Sequence, residues 1–86
     1  MINIKETSLQ SVFEIQLNHF KDERGSFIKY FHHDIFKKNN INLKIKESYY
    51  TISKKNVFRG MHFQLPPHDH EKYVFCTDGK ILDIIL

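Results

Sequence analysis

The segment from Arg59 to Lys72 holds the side chains best suited to chemistry. If its first half is a strand, alternate residues share a face, which places His62 and Gln64 on one side together with Gly60. Gly60 then leaves open space beside the imidazole. A histidine in a concave, partly desolvated site can act as a general base. On an open strand it is an ordinary structural residue, just as Arg59 can form a surface salt bridge and Lys72 can end a strand.

A His-x-His pair, His68 and His70, lies within the same segment. Two imidazoles two residues apart on a strand share a face and can bind one metal ion, as in metal-binding cupins. The preceding Pro66 and Pro67 indicate a loop, however, and no glutamate follows at the usual cupin spacing. We expect exposed loop histidines and no metal site, with a metal-binding cupin as the alternative.

Basic residues are concentrated in the middle of the chain, where seven stand against the single acid Glu47: Lys37, Lys38, Lys44, Lys46, Lys54, Lys55 and Arg59. Such a run attracts phosphate, whether of a nucleotide or of a nucleic acid. The alternative is a solvated surface with lysines protecting strand edges. A nucleic-acid module is usually more basic than a net charge of +3 and carries a reader motif, so we expect no nucleic-acid partner.

The hydrophobic pattern is that of short strands separated by turns. Alternation predicts a strand over Ser11–Leu17, and aromatic residues predict another over Phe27–Phe31, with a turn over Lys21–Gly25 between them. His33–Asn39 is predicted as a short helical or turn segment stopped by Asn39 and Asn40. Further strands are predicted over Leu43–Ser53, Val57–Gln64, Lys72–Cys76 and Lys80–Leu86, the last two joined by a turn at Thr77-Asp78-Gly79. The set predicts an all-β sandwich or barrel.

Eighty-six residues allow one small domain, in which hydrophobic burial and conformational entropy nearly cancel. The single cysteine, Cys76, excludes an intramolecular disulfide and a cysteine-based zinc site, so a reducing, cytoplasmic compartment is expected. We find no signal peptide and no apolar run long enough to cross a bilayer, and we expect no membrane partner. An oligomer, a ligand or further sequence must supply the missing stability.

Two stretches resemble the dTDP-4-dehydrorhamnose 3,5-epimerase family of nucleotide-sugar epimerases. They are Asp22-Glu23-Arg24-Gly25 with Phe27, and the run from Ser53 to Gln64 that contains Arg59-Gly60-Met61-His62. Glu71-Lys72-Tyr73-Val74, Gly79 and Asp83 also match that family in register. The resemblance covers only the N-terminal half of a typical member, and the apolar strand ending at Leu86 has no terminating turn. We therefore expect residues 1–86 to be a single, incomplete domain.

The resemblance implies a cupin-type jelly roll that works as a homodimer and needs no metal or organic cofactor. Its substrate would be a nucleotide-diphosphate 4-keto-6-deoxy sugar, used in deoxysugar and surface-polysaccharide biosynthesis. The carbon beside a ketone is acidic because its carbanion delocalises onto the carbonyl oxygen as an enolate. A base can remove a proton from one face and an acid can return one to the other, which inverts C3, C5 or both.

Residue by residue, the resemblance implies that His62 is the catalytic base and that Lys72 stabilises the enolate oxygen. It implies that Arg24 and Arg59 bind the nucleotide-sugar, since a planar guanidinium suits phosphate oxygens. Phe27 would pack near the nucleotide base or in the core. Two further candidates for substrate binding are Gln64 and Glu47.

The chain departs from the family at several positions. Lys29 stands where the family commonly has glutamate, and Glu47-Ser48-Tyr49 stands where it often has Gln-x-Asn, so the nucleotide or sugar can differ. The aspartate that orients the base and the tyrosine that acts as the opposing acid lie in the second half of the family fold. Without that aspartate, His62 lacks the partner that holds its tautomer. We expect little or no epimerase activity from this chain alone.

Three alternatives to an epimerase remain besides the metal-binding cupin. The chain can be a catalytically inactive remnant, a sugar-nucleotide binding module, or a sugar 3,4-ketoisomerase, which shares the jelly roll. Gln64 stands where such isomerases tend to carry another histidine, and this favours the epimerase.

Overall fold

The computed structural model describes residues 2–86, which form four strands and one helix. These elements are β1 (Asn3–Glu6), β2 (Phe13–Gln16), β3 (His19–Asp22), β4 (Gly25–Ile28) and α1 (His33–Lys38). The mainly β content confirms the predicted all-β class. The chain divides into a first unit, which runs to Leu43 and includes Ile85 and Leu86, and a second unit, Lys44–Ile84. No helix in the described part of the chain is long and apolar enough to cross a membrane.

The first hairpin pairs β1 with β2 in antiparallel register, with Ile4 opposite Ile15. Its loop is closed by Thr7, whose hydroxyl donates to the Val12 carbonyl at 2.7 Å and accepts from the Leu9 amide at 3.2 Å. The strand predicted over Ser11–Leu17 is therefore confirmed in its central part.

The second hairpin pairs β3 with β4, so that Phe20 lies opposite Phe27 and Asp22 lies opposite Gly25. The loop consists of two residues, and Gly25 has a φ of +130°, a conformation that L side chains rarely adopt. The predicted turn over Lys21–Gly25 is confirmed. The strand predicted over Phe27–Phe31 ends earlier, at Ile28.

Helix α1 is short and capped at both ends. His32 is its N-cap, and its Nδ1 accepts a hydrogen bond from the Ile35 amide at 3.4 Å. At the other end Asn39 is the C-cap, and Asn40 takes a left-handed φ of +59°. The predicted helical segment His33–Asn39 and its stop are confirmed.

The core of the described residues is small, and it lies in the first unit. Phe36 of α1 is 2% exposed and Ile2 is 7% exposed. The ring of Phe31 meets that of Phe36 edge-on, with centroids 4.9 Å apart and planes at 70°. Burial of Phe36 is therefore what holds α1 in this unit.

The strands predicted within the second unit are not formed, and these predictions were wrong. They are Leu43–Ser53, Val57–Gln64, Lys72–Cys76 and the part of Lys80–Leu86 in this unit. Alternation indicates a segment with two different faces, but a strand exists only where a neighbour supplies backbone donors and acceptors. The Thr77-Asp78-Gly79 bend is present, with φ +83° at Gly79, but no ladder flanks it.

The second unit leaves large apolar side chains in solvent. Tyr50, Ile52 and Leu82 are 87%, 86% and 88% exposed. The accessible surface of the chain is 8961 Å², whereas a compact protein of this mass has about 5,400 Å². The difference is the surface that unpaired segments leave uncovered.

Replacing Phe36 tests the assignment of the core. Phe36→Ala is expected to destabilise the first unit by about 3 kcal/mol, because it removes its most buried side chain and leaves a cavity. Phe58→Ala is the matched control, since Phe58 is 75% exposed. Urea titrations followed by circular dichroism compare the two. Equal unfolding midpoints for both variants would contradict the assignment.

Candidate functional site

The seven candidate site residues are divided between the two units. The first unit contains two of them and the second unit contains five: Arg24 and Phe27, then Glu47, Arg59, His62, Gln64 and Lys72. Within residues 2–86 no hydrogen bond or ion pair joins any two of these seven side chains. Each unit therefore presents its own set of candidate groups.

Arg59 is held at the end of a tight loop in the second unit. The chain turns at Lys55 and Asn56, where Asn56 has a φ of +64°. This turn brings Arg59 back to Ser53, and its Nε donates to the Ser53 hydroxyl oxygen at 3.0 Å. Because Nε makes this bond, the two terminal Nη groups remain available. A guanidinium edge of this kind can bind two phosphate oxygens side by side.

His62 lies against the backbone of Gly60. A Cβ built on Gly60 would be 3.5 Å from Nδ1 of the imidazole, and the φ of +121° at Gly60 is one that favours glycine. The space expected beside the imidazole is therefore present. The His62 side chain is exposed, however, and does not lie in the concave pocket expected of a barrel interior. No strand packs over it, since the strands predicted around it are unpaired.

The remaining candidates in the second unit, Glu47, Gln64 and Lys72, are exposed. None of their side chains has a hydrogen-bond partner in the described part of the chain. Nδ1 of His70 lies 3.1 Å from the His68 carbonyl oxygen, a local contact within the loop. Among residues 2–86 no three His, Cys, Asp or Glu side chains are placed to hold a metal ion together.

Arg24 is bound to Asp22 in the loop between β3 and β4. Its Nη2 and Nε donate to Oδ2 of Asp22 at 2.7 and 3.2 Å, and its backbone amide donates to Oδ1 at 2.8 Å. The hydrogen bonds from Arg24 lower the pKa of Asp22, and the same carboxylate raises the pKa of Arg24. A carboxylate thus already occupies the Nε–Nη2 edge of Arg24.

Phe27 lines a cavity of about 290 Å³ in the first unit. Phe20 and Phe27 are cross-strand partners, 56% and 62% exposed, and form an aromatic wall. Lys29 supplies a positive charge and His32 supplies an imidazole, and no acidic residue lines the cavity. The full lining is Ile2, Asn18, Phe20, Phe27, Lys29, His32 and Ile35.

Sequence reasoning missed the partners of both arginines. Asp22 lies in the same turn as Arg24, so the spacing of the turn could have indicated the pair. Ser53 is six residues before Arg59, across a turn in which Asn56 has a left-handed conformation. The pairing of Phe20 with Phe27 follows from the two-residue loop, because both are equally distant from it.

Comparison with known proteins relates the chain to one family. The model of a family described as dTDP-4-dehydrorhamnose 3,5-epimerase matches residues 6–86. A protein of that name from Shigella flexneri is 31% identical over 85 residues, which are 96% of this chain and 46% of the relative. The protein of the same name from Escherichia coli K12 is 30% identical over 84 residues, which are 96% of this chain and 45% of the relative. A dTDP-4-dehydrorhamnose 3-epimerase from Streptomyces niveus is 28% identical over 86 residues, which are 99% of this chain and 42% of the relative.

The chain spans less than half the length of these curated relatives. No solved structure gives a significant match. The region in common contains all seven candidate residues.

The pair formed by Asp22 and Arg24 predicts a pH dependence. The pKa of Asp22 is lowered in the folded chain, so the pair stabilises the hairpin above the ordinary aspartate pKa and is lost as the pH falls through the lower, folded value. Carboxyl NMR shifts followed in acid should show the pKa of Asp22 rising in Arg24→Gln. Lys21→Gln, which removes a neighbouring charge outside the pair, should leave the pKa of Asp22 lowered as in the wild type. An unchanged pKa in Arg24→Gln would contradict the pairing.

Proposed function

The chain belongs to the dTDP-4-dehydrorhamnose 3,5-epimerase family, and from this premise we propose that it serves the epimerisation of a nucleotide-linked 4-keto-6-deoxy sugar. Relatives from Shigella flexneri and Streptomyces niveus are named as a 3,5-epimerase and a 3-epimerase. The number of carbons inverted is therefore a question for experiment. The proposed biological role is deoxysugar and surface-polysaccharide biosynthesis.

The observation that carries the proposal is the arrangement of Arg59, Gly60 and His62 inside the matched region. The imidazole of His62 is exposed to a ligand, beside a glycine that adds no side chain. In the proposed step a nitrogen of His62 accepts the proton from C3 or C5 of the sugar. The electron pair of the broken C–H bond moves to the carbonyl oxygen and forms the enolate.

The other candidate residues bind the charges that this step needs. The ammonium group of Lys72 offsets the negative charge that develops on the enolate oxygen. Arg59 binds the diphosphate through its free Nη groups, and Arg24 contributes when it exchanges Asp22 for phosphate. Phe27 contacts the nucleotide base, while the polar contacts to nucleotide and sugar are made by Glu47 and Gln64. The proton that completes an inversion must come from an acid on the opposite face of the sugar.

We include a homodimer in the proposal. Its support is the apolar surface of the second unit, where side chains such as Ile52 and Leu82 are almost fully exposed. Sedimentation equilibrium should give twice the 10.4 kDa of one chain, and a monomer would contradict this part. A cytoplasmic location is also proposed, because Cys76 is an exposed free thiol, which suits a reducing compartment.

A sugar-nucleotide binding module is the second candidate function. The observation that favours it is that no described acidic side chain is hydrogen-bonded to His62, so nothing holds the imidazole in one tautomer. The two functions share a ligand. They differ in whether His62 moves a proton.

Solvent-deuterium incorporation distinguishes the two. The protein is mixed in D₂O with a dTDP-4-keto-6-deoxy sugar, at a protein concentration above that of the sugar. The C3 and C5 protons of the sugar are followed by NMR. We expect slow exchange with little net inversion, because removing a proton needs only the base and the enolate stabiliser. His62→Ala should lower the rate at least about 100-fold, the usual contribution of a general base. Lys72→Ala should also lower it.

His68→Ala is the control, since it removes another exposed histidine of the second unit, and it should leave the rate unchanged. Exchange at both carbons indicates a 3,5-epimerase, and exchange at one indicates a mono-epimerase. Binding without exchange would support the binding module and contradict the proposed proton transfer. An equal rate in the His62→Ala variant would refute the role given to His62.

A further inference from the structure

We propose that Ser53 is the positioning residue for Arg59. Its hydroxyl oxygen holds Nε of the guanidinium, so that the two Nη groups are presented together to the diphosphate of the ligand. This inference rests on the proposed function, because it concerns the arginine to which phosphate binding is assigned. It adds a residue, Ser53, that touches the arginine and acts through it.

The contact between Ser53 and Arg59 closes a loop. The residues are six apart in sequence, and the turn at Lys55 and Asn56 reverses the chain between them. The Nε to Oγ distance of 3.0 Å is that of a full hydrogen bond. An exposed arginine side chain samples many rotamers and loses that freedom when it binds a ligand. Fixing Nε in the free protein removes part of this loss before the ligand arrives.

The choice of a serine matters because its hydroxyl is neutral. Arg24 shows the contrasting arrangement, in which the carboxylate of Asp22 engages both Nε and Nη2 and places a negative charge beside the guanidinium. Ser53 engages Nε alone and adds no negative charge, so Arg59 keeps its full attraction for an anion. The two loops therefore hold their arginines differently, since a carboxylate lies beside Arg24 and a neutral hydroxyl lies beside Arg59.

The hydrogen bond itself can be tested without a ligand. We expect the Nε–H signal of Arg59 to be detectable by NMR and slowed in its exchange with water in the wild-type chain. Ser53→Ala should abolish the slowing, and Ser53→Thr, which keeps the hydroxyl, should preserve it. The same exchange rate in the wild type and in Ser53→Ala would overturn the proposal.

Binding of dTDP, measured by calorimetry, tests the consequence. Ser53→Ala should weaken binding about five- to tenfold, which is the range for losing a hydrogen bond to a charged group that acts indirectly. Ser53→Asp should weaken it further, because it reproduces the pairing seen between Asp22 and Arg24. Ser53→Thr should bind within about twofold of wild type, as should Ser8→Ala, a matched serine control in the first unit.

The outcomes separate the inference from the proposed function. If the wild type binds dTDP and Ser53→Ala binds equally well, the role of Ser53 is refuted and the proposed function stands. If the wild type binds no dTDP, the proposed function fails, and the Nε–H exchange still decides whether Ser53 holds Arg59. In the deuterium-exchange assay, Ser53→Ala should raise the substrate concentration that gives half the maximal rate. It should leave the maximal rate itself unchanged. A loss of maximal rate alone would contradict a positioning role.

Discussion

Backbone hydrogen bonding between neighbouring strands decides which parts of this chain become ordered β structure. In the first unit β1 pairs with β2 and β3 pairs with β4, so that the facing donors and acceptors of each hairpin bond to one another. The second unit has equally strand-like residues, but no described neighbour pairs with them. Tyr50, Ile52 and Leu82 lie in such unpaired segments and are almost fully exposed.

The same constraint determines the character of the candidate site. Local contacts hold its two arginines, since Ser53 holds Arg59 and Asp22 holds Arg24. What the described residues lack is enclosure, and a base works best where water is excluded and a charged partner fixes its tautomer. The groups proposed for binding and proton removal are therefore exposed in each unit, and a further layer of protein, such as the proposed second copy, would have to cover them.

Local features were predictable from the sequence, and features that depend on distant partners were not. The turn ending at Gly25 and the helix stopped by Asn39 and Asn40 follow from conformational preferences within a few residues. The strands of the second unit could not be judged in this way, because alternation does not say whether a partner exists. The motif that contains Arg59 and His62 was found from its residue types, whereas Ser53 was not found, because its role depends on the φ of Asn56.

The most direct test of the account is a structure of this protein with a dTDP-4-keto sugar or a close analogue bound. We expect a ring nitrogen of His62 within about 3.5 Å of C3 or C5, the separation at which a proton can be transferred. The diphosphate should lie on the Nη groups of Arg59. A ligand seated in the cavity lined by Phe20 and Phe27, with no contact to His62 or Arg59, would contradict the proposed chemistry.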